Sequence, residues 1–271
     1  MINETLKVIE HRRSIRKFSQ TPLSEEEKQT ILHATLRAPT AGNMMLYSII
    51  EVEDQALKDR LAVTCDDQPF IATAPWVLLF TADHQRFQDY YKFCDVASAC
   101  KEKGIIPRLP GNGDLLEASC DALIAAQTAV LAAESLGIGS CYIGDILENA
   151  EIHRQMFNLP RYTLPITLLV FGHPFVVKEE TRLSTRYDPE YVVFKNKYRR
   201  LTPEEFVKMN EPAAAHNFPQ MPLEEAAITL GRNIYFRKFV SDFSIEMNRS
   251  SNEWIDTWNT GSSQDTSQPK A

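Results

Sequence analysis

This 271-residue sequence carries little of the usual covalent, metal-binding or membrane-spanning hardware. Its five cysteines, Cys65, Cys94, Cys100, Cys120 and Cys141, include no Cys-x-x-Cys pair, so neither a disulfide framework nor a metal site is expected. Glycine is sparse at 10 residues and no internal repeat occurs, which excludes a collagenous chain. No uninterrupted run of about 18 apolar residues appears, and Met1 to Phe18 is polar and basic, unlike a signal peptide. The expected location is a reducing cytoplasm, with no membrane partner. Positive charge is in deficit, with 29 lysines and arginines against 36 acidic residues and a net charge of −7. That balance argues against nucleic acid as the main partner, so any anion site must be local. What remains is a chain of 44% apolar and 24% charged residues, ordinary for a globular protein and long enough for a large core.

Coarse patterning places helices and strands along the chain. Asn3 is placed to cap a short helix, and Ser24 with Glu27 forms a capping box before a helix that Pro39 ends. Tyr47 to Val52 reads as a strand, Asp54 to Val63 as a helix, and Trp76 to Phe80 as a buried strand. Leu115 to Leu136 is Ala-rich, lacks Gly and Pro, and predicts a central buried helix, with Cys120 and Cys141 as small core residues. A strand at Cys141 to Ile143, a helix at 150–157 and a strand at Ile166 to Phe171 follow. Beyond residue 175 arginines punctuate helices predicted at Pro203 to Met209 and Leu223 to Met247, and Gly261 to Ala271 reads as a disordered tail. The pattern favours an α+β fold over a doubly wound sheet. The expected division is a domain over 1–200, a helical extension over 201–260 packed on the same domain, and the tail over 261–271.

One segment concentrates charge. In His11-Arg12-Arg13-Ser14-Ile15-Arg16-Lys17, four of seven residues are permanently cationic. Guanidinium groups bind phosphate through paired, charge-assisted hydrogen bonds, and Ser14 adds a small donor. Charge alone leaves two readings open, a phosphate site and a solvated basic turn.

The order and spacing of several motifs add to this. Arg12-Arg13-Ser14-Ile15-Arg16-Lys17-Phe18, Arg37-Ala38-Pro39-Thr40-Ala41-Gly42-Asn43, Cys141-Tyr142-Ile143-Gly144 and Phe171-Gly172-His173-Pro174 together resemble the FMN-dependent nitroreductase family. Asp67-Gln68 before the strand at Trp76, and Phe194-Lys195-Asn196-Lys197-Tyr198, are similar to its NADPH-dependent, oxygen-insensitive nitroreductase and flavin reductase branch. The resemblance implies an intertwined homodimer with a central, mainly antiparallel sheet flanked by helices, and one FMN per site at the dimer interface. It implies that Arg12 and Arg13 lie near the flavin phosphate and ribityl chain, with Ser14 in the same motif and Arg16 near the pyrimidine edge, where positive charge stabilises charge on the ring. Pro39, Thr40, Ala41 and Asn43 match a loop that reaches the flavin held mainly by the other subunit. Gln68 matches a contact to the ribityl chain or ring edge, and Tyr142, Ile143 and Gly144 match backbone lying against the ring.

The resemblance departs at one place. The family supplies the phosphate with a lysine and an arginine, two residues apart. Here Arg186 stands at the arginine's position and Ser184 at the lysine's, a loss of about 1.5 to 3 kcal/mol unless Arg182 replaces it. The implied function is transfer of hydride from NADPH or NADH through FMN to a small-molecule acceptor (nitroaromatic, quinone, azo compound or flavin) in a ping-pong mechanism. No catalytic side chain and no metal are implied, because the cofactor supplies the reactive atom. Arg237, Lys238 and Arg249 are candidates for the 2′-phosphate of NADPH, a solvated helix face being the alternative. Two other readings keep the fold: a reductase dedicated to an enone or halogenated aromatic, and a flavin-storage protein without turnover.

Overall fold

The computed structural model describes residues 3–175 and 183–261. Arg182 and residues 262–271, most of the expected tail, lie outside the described residues. The chain divides into two compact units, Met1–Val177 with Glu246–Ala271, and Lys178–Ile245. The elements in chain order are α1 (Glu4–His11), α2 (Glu25–Thr35), β1 (Tyr47–Glu51), α3 (Gln55–Thr64), α4 (Phe70–Thr73), β2 (Trp76–Asp83), α5 (Gln85–Phe93), α6 (Val96–Glu102), α7 (Asn112–Ser135), β3 (Gly139–Ile143), α8 (Ala150–Met156), β4 (Thr163–Gly172), α9 (Pro203–Asn217), α10 (Leu223–Lys238) and α11 (Asp242–Thr260).

Local chemistry sets many of the boundaries. The Asn3 side chain accepts from the Leu6 amide at 2.9 Å and starts α1, which ends where Arg12 turns extended. Ser24 and Glu27 cap α2 reciprocally, at 3.2 Å and 2.7 Å. The helix expected from Leu223 to Met247 is instead two. It stops at Lys238, and Ser241, whose carbonyl accepts from Ser244 and Ile245, opens α11. Serine and aspartate favour helix starts over helix interiors, which outweighs the apolar pattern here.

The first unit is built on a four-stranded, wholly antiparallel sheet in the order β1-β2-β4-β3, giving the α+β architecture. Alternate residues of the central strands serve opposite faces. Trp76, Leu78 and Phe80 pack with Ala122, Ala125, Ala126, Ala129 and Ala133 of α7, while Val77 and Leu79 pack with Leu61 and Ile71 of α3 and α4. Both faces are covered, so β2 is buried along its whole length and reads as an apolar run. The alanines of α7 let it lie close to the sheet. By length and composition α7 is apolar enough to cross a bilayer, yet nine of its residues, Asp121 among them, are buried in this unit. Trp254 and Trp258 of α11 complete a third cluster around Leu46, Ala82 and Leu164.

One expectation about the core fails. Cys141 is buried, but Cys120 is exposed on the outward side of α7. That side also presents Leu116 at 69%, Leu123 at 46% and Ile124 at 39% exposure. An apolar pattern all round a helix does not distinguish a core face from an uncovered one.

Candidate functional site

After α1 the basic segment runs extended along the edge of the sheet. The Ile15 amide donates to Ser140 of β3 at 2.8 Å, and Ser14 pairs with Ser140 in a parallel bridge. Farther on, Phe18 bridges Pro174 and the Ser19 amide donates to His173 at 2.8 Å. Two glycines permit this approach. A Cβ on Gly139 would lie 2.6 Å from Ile15 Cγ1, and one on Gly172 would lie 2.7 Å from Phe18 and 2.8 Å from Pro75. The Gly172 of the Phe-Gly-His-Pro motif is thus a packing requirement of the N-terminal segment.

Among the described residues, no carboxylate lies within ion-pair distance of Arg12, Arg13 or Arg16. Arg12 and Arg13 are half-buried, and Arg16 lies over the Phe70 ring at 5.8 Å. Their fields reach two elements. Burial raises the Cys141 thiol, and Arg16, a hydrogen bond with Ser14, and Arg12 pull it back. Burial likewise raises the Glu134 carboxyl near the C-terminus of α7, against Arg12, Arg13 and His11. Three guanidinium groups thus lie within five residues of one edge segment without an ion pair among the described residues, on a protein whose net charge is −7.

The end of β3 brings Gln68 and residues 142–144 to the same edge. Gln68 donates through Nε2 to Cys65 O and to Asp145 Oδ2, both at 2.8 Å, which leaves its carbonyl oxygen as an acceptor. Desolvation raises the Tyr142 phenol to about 12, against Arg12, and its hydroxyl meets Gln127 of α7 at 3.2 Å. Gly144 has an ordinary helical backbone, and a Cβ there would meet nothing within 4 Å. The chain itself therefore does not require glycine at this position, and the turn presents an open surface. Beneath it Glu148 is buried, its carboxyl raised to about 7 by desolvation first and then by Asp145, Asp66 and Glu246.

The loop of Pro39, Thr40, Ala41 and Asn43 lies elsewhere. It leads into β1, at the opposite edge of the sheet, about 14 Å away across three strand spacings. Gly42, Asn43 and Met45 all have positive φ, at 55°, 58° and 51°. A buried carboxylate that sequence reasoning missed holds this backbone. Asp121 of α7 accepts from the Thr40 hydroxyl, from the Ala41 amide at 3.0 Å and from the Leu46 amide at 3.1 Å. The Thr40 hydroxyl oxygen in turn accepts from the Met45 amide at 2.8 Å, and Arg86 of α5 donates to Met45 O. The signal for Asp121 was an acid at the helical spacing of Ala118, Ala122 and Ala125 on the apolar side of the helix.

Within the first unit, then, Arg12, Arg13, Ser14, Arg16, Gln68, Tyr142, Ile143 and Gly144 share one edge and the Pro39 loop occupies the other. From Asp121 to Glu134, at a helical rise of about 1.5 Å per residue, the two anchor points are about 20 Å apart along α7. Ser184 and Arg186 belong to the second unit. There Ser184 lines a groove with Thr185, Pro212 and Asn217, and exposed Arg186 donates to the carbonyls of Ser184 and Thr185 at 3.2 Å and 3.1 Å. Of the candidates for a nicotinamide 2′-phosphate, Arg249 is already committed to Glu151 and Glu246, at 2.7–2.9 Å. Lys238 lies over the Phe243 ring at 5.1 Å.

Residues 9–173 match the sequence model of the Nitroreductase family. Over 215 residues, 79% of this chain and 83% of the relative, the sequence is 28% identical to the NADPH-flavin oxidoreductase of Vibrio harveyi. Over 178 residues, 64% and 67% of the two chains, it is 33% identical to an FMN reductase (NAD(P)H) of Bacillus subtilis. The solved nitroreductase A of Vibrio parahaemolyticus, 24% identical, covers 94% of this chain and 98% of its own at a TM-score of 0.73, which shows the shared fold.

Proposed function

The chain belongs to the nitroreductase family, and on that premise we propose that it is an FMN-dependent oxidoreductase drawing on NADPH or NADH. The observation that carries the reading is the trio of guanidinium groups, Arg12, Arg13 and Arg16, gathered without an ion pair among the described residues beside an open turn at Gly144. These residues fit a flat, phosphorylated ligand. Arg12 and Arg13 would take the phosphate and ribityl chain, Arg16 and Gln68 the polar ring edge, and the backbone of Tyr142, Ile143 and Gly144 the ring face. Bound FMN supplies two-electron hydride exchange, in a ping-pong order that serves nitroaromatic, quinone, azo or flavin acceptors. The protein's share is orientation and charge: fixed cations near the ring favour negative charge there, and no side chain need act as a nucleophile.

A homodimer is part of the proposal. The Pro39 loop and the Arg12–Arg16 segment stand at opposite edges of the sheet within one chain, and in the proposed dimer a second copy brings its loop to the first copy's arginines. Exposed Leu116, Leu123 and Ile124 on α7 supply an apolar face for that contact. Ser184 and Arg186 are proposed as the remaining phosphate contacts, with one cation fewer than the family pattern. Five free cysteines fit a reducing cytoplasm. Anaerobic mixing of the yellow protein with NADPH tests the function. Bleaching of the flavin absorbance, reversed by a nitroaromatic or quinone, is expected; a persistent yellow colour favours storage, and recovery only with an enone or halogenated aromatic favours a dedicated substrate.

A further inference from the structure

We propose that Asp121 is a positioning residue, which from inside the core helix sets the Thr40–Leu46 loop in its cofactor-receiving shape before any flavin arrives. The inference rests on the FMN reading above and adds a buried residue that acts through the loop. Asp121 is 3% exposed. A carboxylate at such a depth is costly unless its oxygens are satisfied. Among the described residues they are satisfied by one loop: Oδ1 takes the Ala41 amide, and Oδ2 takes the Leu46 amide and the Thr40 hydroxyl. Between these contacts the backbone passes through positive φ at Gly42, Asn43 and Met45. Two of those residues are not glycine, so the conformation is unfavourable by itself and persists because its surroundings over-determine it.

The geometry also specifies why a carboxylate is needed. The Ala41 and Leu46 amides can only donate, and they approach different oxygens, so a group that accepts through both of its terminal atoms meets them together. An asparagine of the same shape would turn its amide hydrogens either toward the Ala41 amide or toward the Leu46 amide, donor against donor, although the Thr40 hydroxyl could turn to accept. The loop would then lose one of its two ends. A loop ordered only by flavin would draw its ordering free energy from binding, whereas a preset loop does not.

The test compares wild type with Asp121→Asn in FMN titrations on apo protein, at a temperature where both are folded by circular dichroism. Amide hydrogen exchange at Ala41, Met45 and Leu46 is followed in parallel. We expect the dissociation constant to rise about tenfold, the scale of one lost bond to a charged group, with faster exchange at Ala41 or Leu46. A residue that only stabilised the fold would lower the melting temperature and leave the dissociation constant of the folded protein unchanged. That result overturns the proposal. If Asp121→Asn does not fold, wild-type apo protein decides: loop amides protected before flavin is added support presetting, and amides that gain protection only with flavin overturn it. Wild type that binds no FMN at all instead removes the cofactor reading, and the proposal falls with it.

Discussion

At its β3 edge the sheet is finished by backbone, and at its β1 edge by a side chain. The segment from Ser14 to Ser19 lies down beside β3 and the end of β4 through main-chain hydrogen bonds, with Gly139 and Gly172 cleared for Ile15 and Phe18. The loop before β1 makes no such ladder and is gathered by Asp121, 75 to 81 residues away in sequence. Among the described residues the first edge leaves Arg12, Arg13 and Arg16 without an ion pair, and the second uses a buried anion to hold its own backbone. The contrast separates two ways of preparing a binding surface. Unpaired cations leave a surface open to an anion, whereas a carboxylate whose oxygens are taken by neutral donors fixes a backbone shape. In the proposed dimer each copy would carry its β1-edge loop to the arginines at the other's β3 edge.

The largest effect should come from keeping the two edges apart. Leu123→Glu places charge on the exposed apolar side of α7, and the resulting monomer, verified by light scattering, is expected to lose its flavin absorbance. A verified monomer that stays yellow would show that the β1-edge loop is not part of the site. Next, Arg12→Ala should raise the FMN dissociation constant at least about tenfold, the scale of one charge-assisted bond, while unchanged titration would remove the β3 edge from phosphate binding. Gly172→Ala should destabilise the protein by about 1 to 3 kcal/mol in urea unfolding, because Pro75 and Phe18 cannot both yield to the new methyl. Equal stability would mean that the basic segment is not seated as described.

A pH-dependent effect belongs to the turn that follows β3. Glu148 is held at about 7 against an ordinary 4.5, chiefly by burial. An acid raised on folding binds its proton more tightly in the native state. Its contribution is therefore intact below about pH 4.5 and is lost as pH rises through about 7. Glu148→Gln should flatten this fall: between about pH 5 and about pH 8 the wild-type urea midpoint should drop more than that of the variant. Parallel curves would mean that Glu148 is solvated.

Some of this was legible from residues near one another in the chain. Caps at Asn3 and Ser24, the strands at Tyr47 and Trp76 and the long helix α7 follow from local pattern, and the cationic run from Arg12 needs no structure to be noticed. Motif order carried Gln68 and residues 142–144, and the structure gathers them at one edge. Other features were invisible for definable reasons. Cys120 is exposed where the pattern predicts core, because a helix that is apolar all round does not disclose which side is covered. The break at Phe239 to Ser241 was hidden by apolar residues that continue the helical spacing through it.

By itself the sequence determined the elements, their caps and the concentration of positive charge, since each of these depends on neighbours in the chain. Tertiary structure alone decided which loop Asp121 serves and how far that loop stands from the arginines. The reason is physical: two of the three bonds to Asp121 come from backbone amides, which every residue but proline possesses and which therefore leave no trace in the identity of the residues that donate them.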